Sequence, residues 1–254
     1  MPRRRRYWAN HACYHITHRC HERRHLFRFA KYRDMYRQYL FEATRRYNVS
    51  VLAYVVTSNH THALLATGDR GRPEVSEALQ YVHGEIGQHY NLCRRREGSF
   101  WSNRFHASWI QGGLHLRRCL FYIDMNMVRA GVVEHPAQWR HSSAYDLTST
   151  RQRYRVVDRE RLLERLEIPD WDAYRRWYNV SLEEILRARL FRECQPFWSS
   201  SLAVGDADWV GRIAEGTGMK RYDVVETNQS WLESVKSFFV RAQNAAKGAL
   251  DMPQ

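Results

Sequence analysis

No stretch of this chain approaches the ~20 consecutive apolar residues that a membrane-spanning helix requires. Its opening, Met1-Pro2 followed by Arg3–Arg6, lacks the apolar stretch of a secretory signal. No internal repeat is present, and no low-complexity segment beyond that arginine run, so repeat arrays are excluded. Cysteine is scarce and badly spaced for cross-linking. The five residues, Cys13, Cys20, Cys93, Cys119 and Cys194, are odd in number and form no CxxC pair. That argues against a disulfide scaffold or a structural zinc site and for reduced thiols in a cytoplasm.

What is present is positive charge. The 254 residues carry a formal charge of +13, and the excess is not evenly spread. Residues 1–150 hold 23 Lys and Arg against 11 Asp and Glu, whereas residues 151–254 hold 17 against 16. A polyanion is therefore the expected partner of the first part, and the second part is electrostatically ordinary. A hydrophobic content of 44% with 26% charged residues reads as a folded, soluble chain, and 13% aromatic residues suit both core packing and base stacking.

Periodicity orders the elements. His11–Cys20 alternates as a strand, with Tyr14, Ile16 and His18 on one side. Helical spacing of Tyr32, Met35, Tyr36, Tyr39, Leu40, Ala43 and Tyr47 predicts a helix over 31–47. Val49–Val56 and His60–Thr67 read as two strands joined by Thr57-Ser58-Asn59, hence an antiparallel hairpin. A helix opens at Pro73-Glu74 and runs to about Cys93; a strand follows over Phe105–Gln111. A further helix is expected from Leu114 to Val128, closing at Ala130-Gly131. Strand, helix, strand, strand, helix, strand is the split βαβ, ferredoxin-like order. The predicted class is thus α+β, an antiparallel sheet with helices, followed by a helical C-terminal extension. The boundary is set near residue 150, giving units 1–150 and 151–254. Helices are expected in the tail at 158–166, 171–178, 182–192, 206–214 and 231–247.

Two local patterns carry chemistry. In His60-Thr61-His62, strand alternation places both imidazoles on one face about 7 Å apart, able to grip one cation. With 13 histidines in the chain, the pair alone is a weak motif. On the helix near 122, Tyr122 and Asn126 are four apart and share a face, so a phenol and an amide oxygen sit side by side. Tyr122 is one of 15 tyrosines, most of which pack. Tyr90 is the rival nucleophile. His18, His21 and His25 with Cys13 and Cys20 match no zinc spacing well.

Together these residues resemble the REP-associated tyrosine transposases, the single-tyrosine branch of the HUH transposases. The resemblance is carried by the arginine-rich arm and Tyr14-His15-Ile16, then by Ala53-Tyr54-Val55-Val56-Thr57-Ser58-Asn59-His60-Thr61-His62. It continues through Gly98-Ser99-Phe100-Trp101-Ser102-Asn103-Arg104-Phe105, Tyr122-Ile123-Asp124-Met125-Asn126-Met127-Val128-Arg129-Ala130-Gly131 and Ser142-Ser143-Ala144-Tyr145. A weaker likeness extends to Ser201-Leu202-Ala203-Val204-Gly205 in the tail. The chain departs from the pattern at Thr61, where the family has a hydrophobic residue, and at Met127, where it has proline. Position 61 should point away from the metal; Met127 should let the helix end less abruptly.

The resemblance implies that His60, His62 and Asn126 bind one divalent cation, Mg²⁺ or Mn²⁺, and that Tyr122 attacks phosphorus. It implies single-stranded or hairpin DNA as the partner, a monomer or homodimer, no membrane, and a bacterial cytoplasm with nucleoid association on DNA. Arg3, Arg4, Arg5, Arg6, Arg19, Arg23 and Arg24 would contact phosphates and bases near a hairpin foot. Arg94, Arg95, Arg96 and Arg104, interleaved with Phe100 and Trp101, have the composition of a single-strand channel. The alternative readings are a domesticated hairpin-binding protein without cleavage and an RNA-binding ferredoxin-like module that needs no metal.

Overall fold

The computed structural model describes residues 6–69, 72–150, 153–190, 192, 195–217 and 224–226. The predicted helix over 231–247 lies outside them. The first six elements are β1 (Cys13–Arg19), α1 (Ala30–Arg46), β2 (Ser50–Val56), β3 (His60–Ala66), α2 (Arg72–Arg94) and β4 (His106–Ile110). The strands pair in the order β2-β3-β1-β4, all antiparallel, which is the ferredoxin-like arrangement anticipated from the alternation.

Strand alternation divides the sheet chemically. The Thr61 side chain accepts a hydrogen bond from Tyr36 of α1 at 3.4 Å, so Thr61 faces the layer built by α1 and α2. His60, His62 and Leu64 point the other way, toward α3 (Leu114–Asp124). Thr61 therefore does point away from the pair of imidazoles. The β2–β3 turn is held by one hydroxyl. Thr57 Oγ1 accepts from the backbone nitrogens of Asn59 (3.3 Å) and His60 (3.1 Å), and Thr57 N donates to His60 O at 3.0 Å.

The helix expected over 114–128 is interrupted. It stops at Asp124, Met125 has φ −76° and ψ 1°, and a separate turn, α4, covers Asn126–Arg129. That backbone is the bridge region between helix and turn, so Tyr122 and Asn126 are not successive turns of one regular helix. Gly131, at φ 68°, then turns the chain away. The chain returns to the free edge of β2. α5 (Ser143–Thr148) starts on a Ser142 cap, and isolated bridges join Val55 to Ser142 and Val51 to Val157. Covering this edge removes a template for unwanted strand pairing.

The tail holds α6 (Arg159–Leu166), α7 (Trp171–Arg187), α8 (Phe197–Ser200), β5 (Ala203–Gly205), α9 (Ala207–Thr217) and β6 (Val224–Glu226). Where the pattern predicted a break between Tyr178 and Leu182, α7 is continuous, because Ser181 and Leu182 are both buried on its inner face. The tail is mainly helical, yet it also extends the sheet. β5 pairs parallel with β4, and β6 pairs parallel with β5. The Ser201–Gly205 motif is this junction. Ser201 O accepts from Ser108 Oγ at 2.6 Å, and a Cβ on Gly205 would lie 2.4 Å from the Trp209 ring. Only glycine fits that approach. No helix among the described residues is long and apolar enough to cross a membrane.

Candidate active site

His60 and His62 are adjacent same-face positions of β3, with ring centroids 5.0 Å apart. Burial decides their charge. The His60 pKa falls to about 4, mainly by desolvation and then by the positive charges of Arg19 and Arg129. His62 is pushed well below its ordinary value by desolvation, then by His60, His15 and Arg129. Both rings are therefore neutral at physiological pH, the form that binds metal.

Hydrogen bonds then settle which nitrogen each ring presents. His60 Nδ1 lies 2.7 Å from Asn59 Oδ1 and 3.0 Å from Thr57 Oγ1, so it carries the proton and Nε2 keeps the lone pair. His62 Nδ1 lies 2.8 Å from Nε2 of His15, a completely buried residue of β1. Its Nε2 makes no hydrogen bond within the described residues.

Tyr122 reaches this pair from α3. Its ring centroid is 5.9 Å from that of His62 and 5.8 Å from that of His15, both edge-on, and 5.8 Å from that of Trp198. Half-buried, it retains a path to solvent. The Arg129 guanidinium sits 4.4 Å over the phenol ring and donates to the Tyr122 carbonyl at 3.5 Å. Asn126 opens α4 immediately after the Met125 break and is buried. The rival, Tyr90, is buried in the α1–α2 layer between Tyr32 (4.6 Å) and Phe100 (5.0 Å). Of the two tyrosines, Tyr122 alone meets the histidines.

Two neutral imidazoles on one face, each bonded through Nδ1, would leave an exchangeable cation with open positions for water or phosphate oxygen. Among the described residues there is no group of three or more His, Cys, Asp or Glu able to hold a metal, so a zinc-type cage is absent there. Residues 9–126, spanning β1 through Asn126, match the family model described as "Transposase IS200 like".

That stretch is similar to the IS200-like transposases.

Two solved structures are similar to the chain. One is a REP-associated tyrosine transposase bound to a REP hairpin, 23% identical, covering 57% of this chain and 84% of that one, with a TM-score of 0.48. The other is a protein titled as a transposase candidate from Deinococcus radiodurans R1, 14% identical, covering 46% and 89%, with a TM-score of 0.34. No curated protein matches.

Around this site the predicted DNA-contacting residues divide. Arg19 lies opposite His60 in the β1–β3 register, at the mouth of the site. Arg23 and Arg24 are exposed on a segment clasped to the β2–β3 turn, where Arg23 O accepts from Asn59 Nδ2 (3.3 Å) and Phe27 N donates to Ser58 O (2.9 Å). Glu22 and Arg23 both have φ above +50°, a conformation disfavoured for side-chain-bearing residues. Arg6 donates to Phe105 O at 2.6 Å and stacks 3.7 Å over the Phe105 ring; burial and Arg104 lower its pKa to about 10. Arg3, Arg4 and Arg5 lie outside the described residues.

Arg94 and Arg95 are exposed beside α2, but Arg96 braces its own loop through Asn91 Oδ1 and Ser99 O, both 2.9 Å. Phe100 is core, and one face of Trp101 is taken by His18, 3.9 Å away and nearly parallel. The aromatic pair thus packs inward at this loop.

Three contributors had no assigned role in the sequence pattern. His15 stood in the quoted Tyr14-His15-Ile16 motif, and Arg129 in the Tyr122–Gly131 motif. Trp198 had no local signal at all. A fourth, Asp124, is buried and accepts from Tyr178 of α7 (2.7 Å) and Ser143 (2.9 Å). Burial raises its pKa to about 6 against the pull of those two bonds.

Proposed function

We propose that this chain is a single-tyrosine DNA strand transferase of the REP-associated type, acting on single-stranded or hairpin DNA. One observation supports it above the others: the Tyr122 ring lies edge-on to His62, a buried, neutral imidazole that shares its strand face with His60. His60, His62 and Asn126 would hold Mg²⁺ or Mn²⁺, which when bound polarises the scissile phosphate.

The residues of the chain do the rest. Tyr122 Oη loses its proton to solvent and forms a bond to phosphorus. The bond from phosphorus to the 3′ oxygen breaks, and that oxygen takes a proton to become a free 3′-OH. The 5′ phosphate stays on the tyrosine. A phenol has an ordinary pKa of about 10 and needs help to ionise. Arg129, 4.4 Å over the ring, offsets the charge that the oxygen acquires. Attack of a 3′-OH on the phosphotyrosine reverses these bonds and rejoins strands without ATP. Arg19, Arg23 and Arg24 ring the entrance and suit the phosphates of the incoming strand.

Incubation of the full chain with labelled hairpin DNA and Mn²⁺ or Mg²⁺ tests this reading through a denaturation-resistant covalent adduct. Wild type and Tyr90→Phe should form it, and Tyr122→Phe should lose at least about a thousand-fold of the rate. An adduct that persists in Tyr122→Phe and disappears in Tyr90→Phe would overturn the assignment. Tight hairpin binding with no adduct in wild type would favour the non-cleaving hairpin binder instead.

A further inference from the structure

A chain of hydrogen bonds enters the site from the tail, and it has only one possible polarity. Its outer end is the backbone carbonyl of Trp198, which can only accept. His15 Nδ1 lies 2.9 Å from that oxygen, so this nitrogen carries a hydrogen. His15 is fully buried with no carboxylate bonded to its ring, so nothing there would compensate a positive charge and the ring is neutral. A neutral imidazole has one N–H, so His15 Nε2 is a bare lone pair. His62 Nδ1, 2.8 Å from it, must be the donor. That leaves His62 Nε2 unprotonated. The two rings lie 10° from parallel, and Ser108 Oγ, 3.1 Å from the same Trp198 oxygen, anchors the carbonyl to β4.

We propose that His15 is a positioning residue which, braced by the Trp198 carbonyl, locks His62 in the Nδ1–H tautomer and makes the segment at 198 part of the active centre. His15 touches no substrate in this role; it acts through His62. Outer partners of this kind fix ligand tautomer and orientation, and their loss weakens metal binding about 10- to 100-fold. The consequence for catalysis rests on His62 being a ligand, but the tautomer itself does not.

The direct test is long-range ¹H–¹⁵N correlation NMR of histidine-labelled full-length protein without metal. The expected spectrum shows His62 protonated at Nδ1 only; a His62 protonated at Nε2 would overturn the proposal, whatever Tyr122 does. The second arm is Mn²⁺ titration of two variants. His15→Leu should bind at least about tenfold more weakly with unchanged hairpin affinity. His15→Gln, which can keep both a donor and an acceptor, should recover most of that loss. Wild-type Mn²⁺ affinity in His15→Leu would also overturn it. Should His15→Leu fail to fold, the wild-type spectrum still decides.

A different observation lies at the β2 edge. A cavity of about 810 Å³ is lined by Arg37, Arg140, Arg153, Arg155 and Arg159, and its carboxylate, Asp146, is already engaged by Arg37 (2.6 Å) and by the Tyr54 hydroxyl. Positive groups converging from α1, from the segment before α5, and from the start of α6 and the segment before it repel one another until an anion enters. We infer that this cavity takes the phosphodiester backbone of a DNA strand, outside the tyrosine centre. It rests on DNA being the substrate, and its readout differs from that of the chemistry. In the triple variant Arg140→Gln, Arg153→Gln, Arg155→Gln, the slope of log affinity against log salt for hairpin DNA should fall by about 2 to 3. A slope equal to that of wild type would overturn the inference.

Discussion

His15 and His18 sit three residues apart on β1, on opposite faces of one sheet, and both are buried with strongly lowered pKa values. Their surroundings differ in what remains open. On the α1–α2 face, His18 lies flat against Trp101 at 3.9 Å, with His83 at 4.3 Å and Nε2 bound to Asn103 O at 2.7 Å. Both histidines there are closed off from solvent. On the α3 face, the bonds from His15 to His62 and from Asn59 to His60 occupy only the Nδ1 atoms, and His60 and Tyr122 keep partial exposure. A depressed histidine pKa thus marks burial on both faces. On the first face the spare nitrogen, His18 Nδ1, is buried without a partner; on the second the spare nitrogens have a half-exposed nucleophile beside them.

The sharpest way to break that comparison is to remove one open nitrogen. His60→Ala should weaken Mn²⁺ binding by roughly 100-fold and abolish detectable adduct, with circular dichroism unchanged. Unaltered Mn²⁺ affinity would put His60 in the same class as His18. On the closed face the expectation is reversed. Trp101→Ala should cost roughly 3 kcal/mol in chemical denaturation, because a large packed ring is lost, while adduct yield per folded molecule stays near wild type. Loss of adduct with no loss of stability would show that Trp101 serves the DNA and that the faces are not separate.

The last effect is in pH. The folded pKa of His18, about 4, lies below its ordinary 6.5, so the folded state disfavours the charged ring. The stabilising contribution is present above pH 6.5 and is lost as pH falls from there through about 4. At ~1.4 kcal/mol per pKa unit the lowering from 6.5 to about 4 amounts to at most ~3.5 kcal/mol. Unfolding curves between pH 7 and 4 should therefore be flatter for His18→Phe than for wild type. An equal slope in the two proteins would mean that His18 titrates normally.

Much of this architecture was legible because it is local. Alternation identified β1 to β4, and the hairpin at Thr57–Asn59 put His60 and His62 on one face, as strand geometry requires. The family resemblance, not periodicity, singled out Tyr122 from its fellow tyrosines. Elements set by tertiary contact were not legible. The stop at Met125 has no proline or glycine to announce it, and α7 passes through Asn179-Val180-Ser181 because its buried face continues across them. β5 and β6 are three residues each, too short to show a period. Trp101 looked like a stacking platform beside arginines, but its ring is already in contact with His18. His15 was visible only as part of a motif, since its partner in the tail is far away in sequence.

That distance has a kinetic meaning. The bond from His15 to the Trp198 carbonyl closes a loop of 183 positions, whereas the His60–Asn59 bond joins neighbours. Contacts of such long sequence separation pay their chain entropy late in folding. During synthesis, the ribosome must release the chain through residue 198 before this bond can form. A nascent or truncated product ending before residue 198 would carry the HxH pair and the tyrosine with one imidazole still free to choose its tautomer. Synthesis past residue 198 is then itself the step that sets the site.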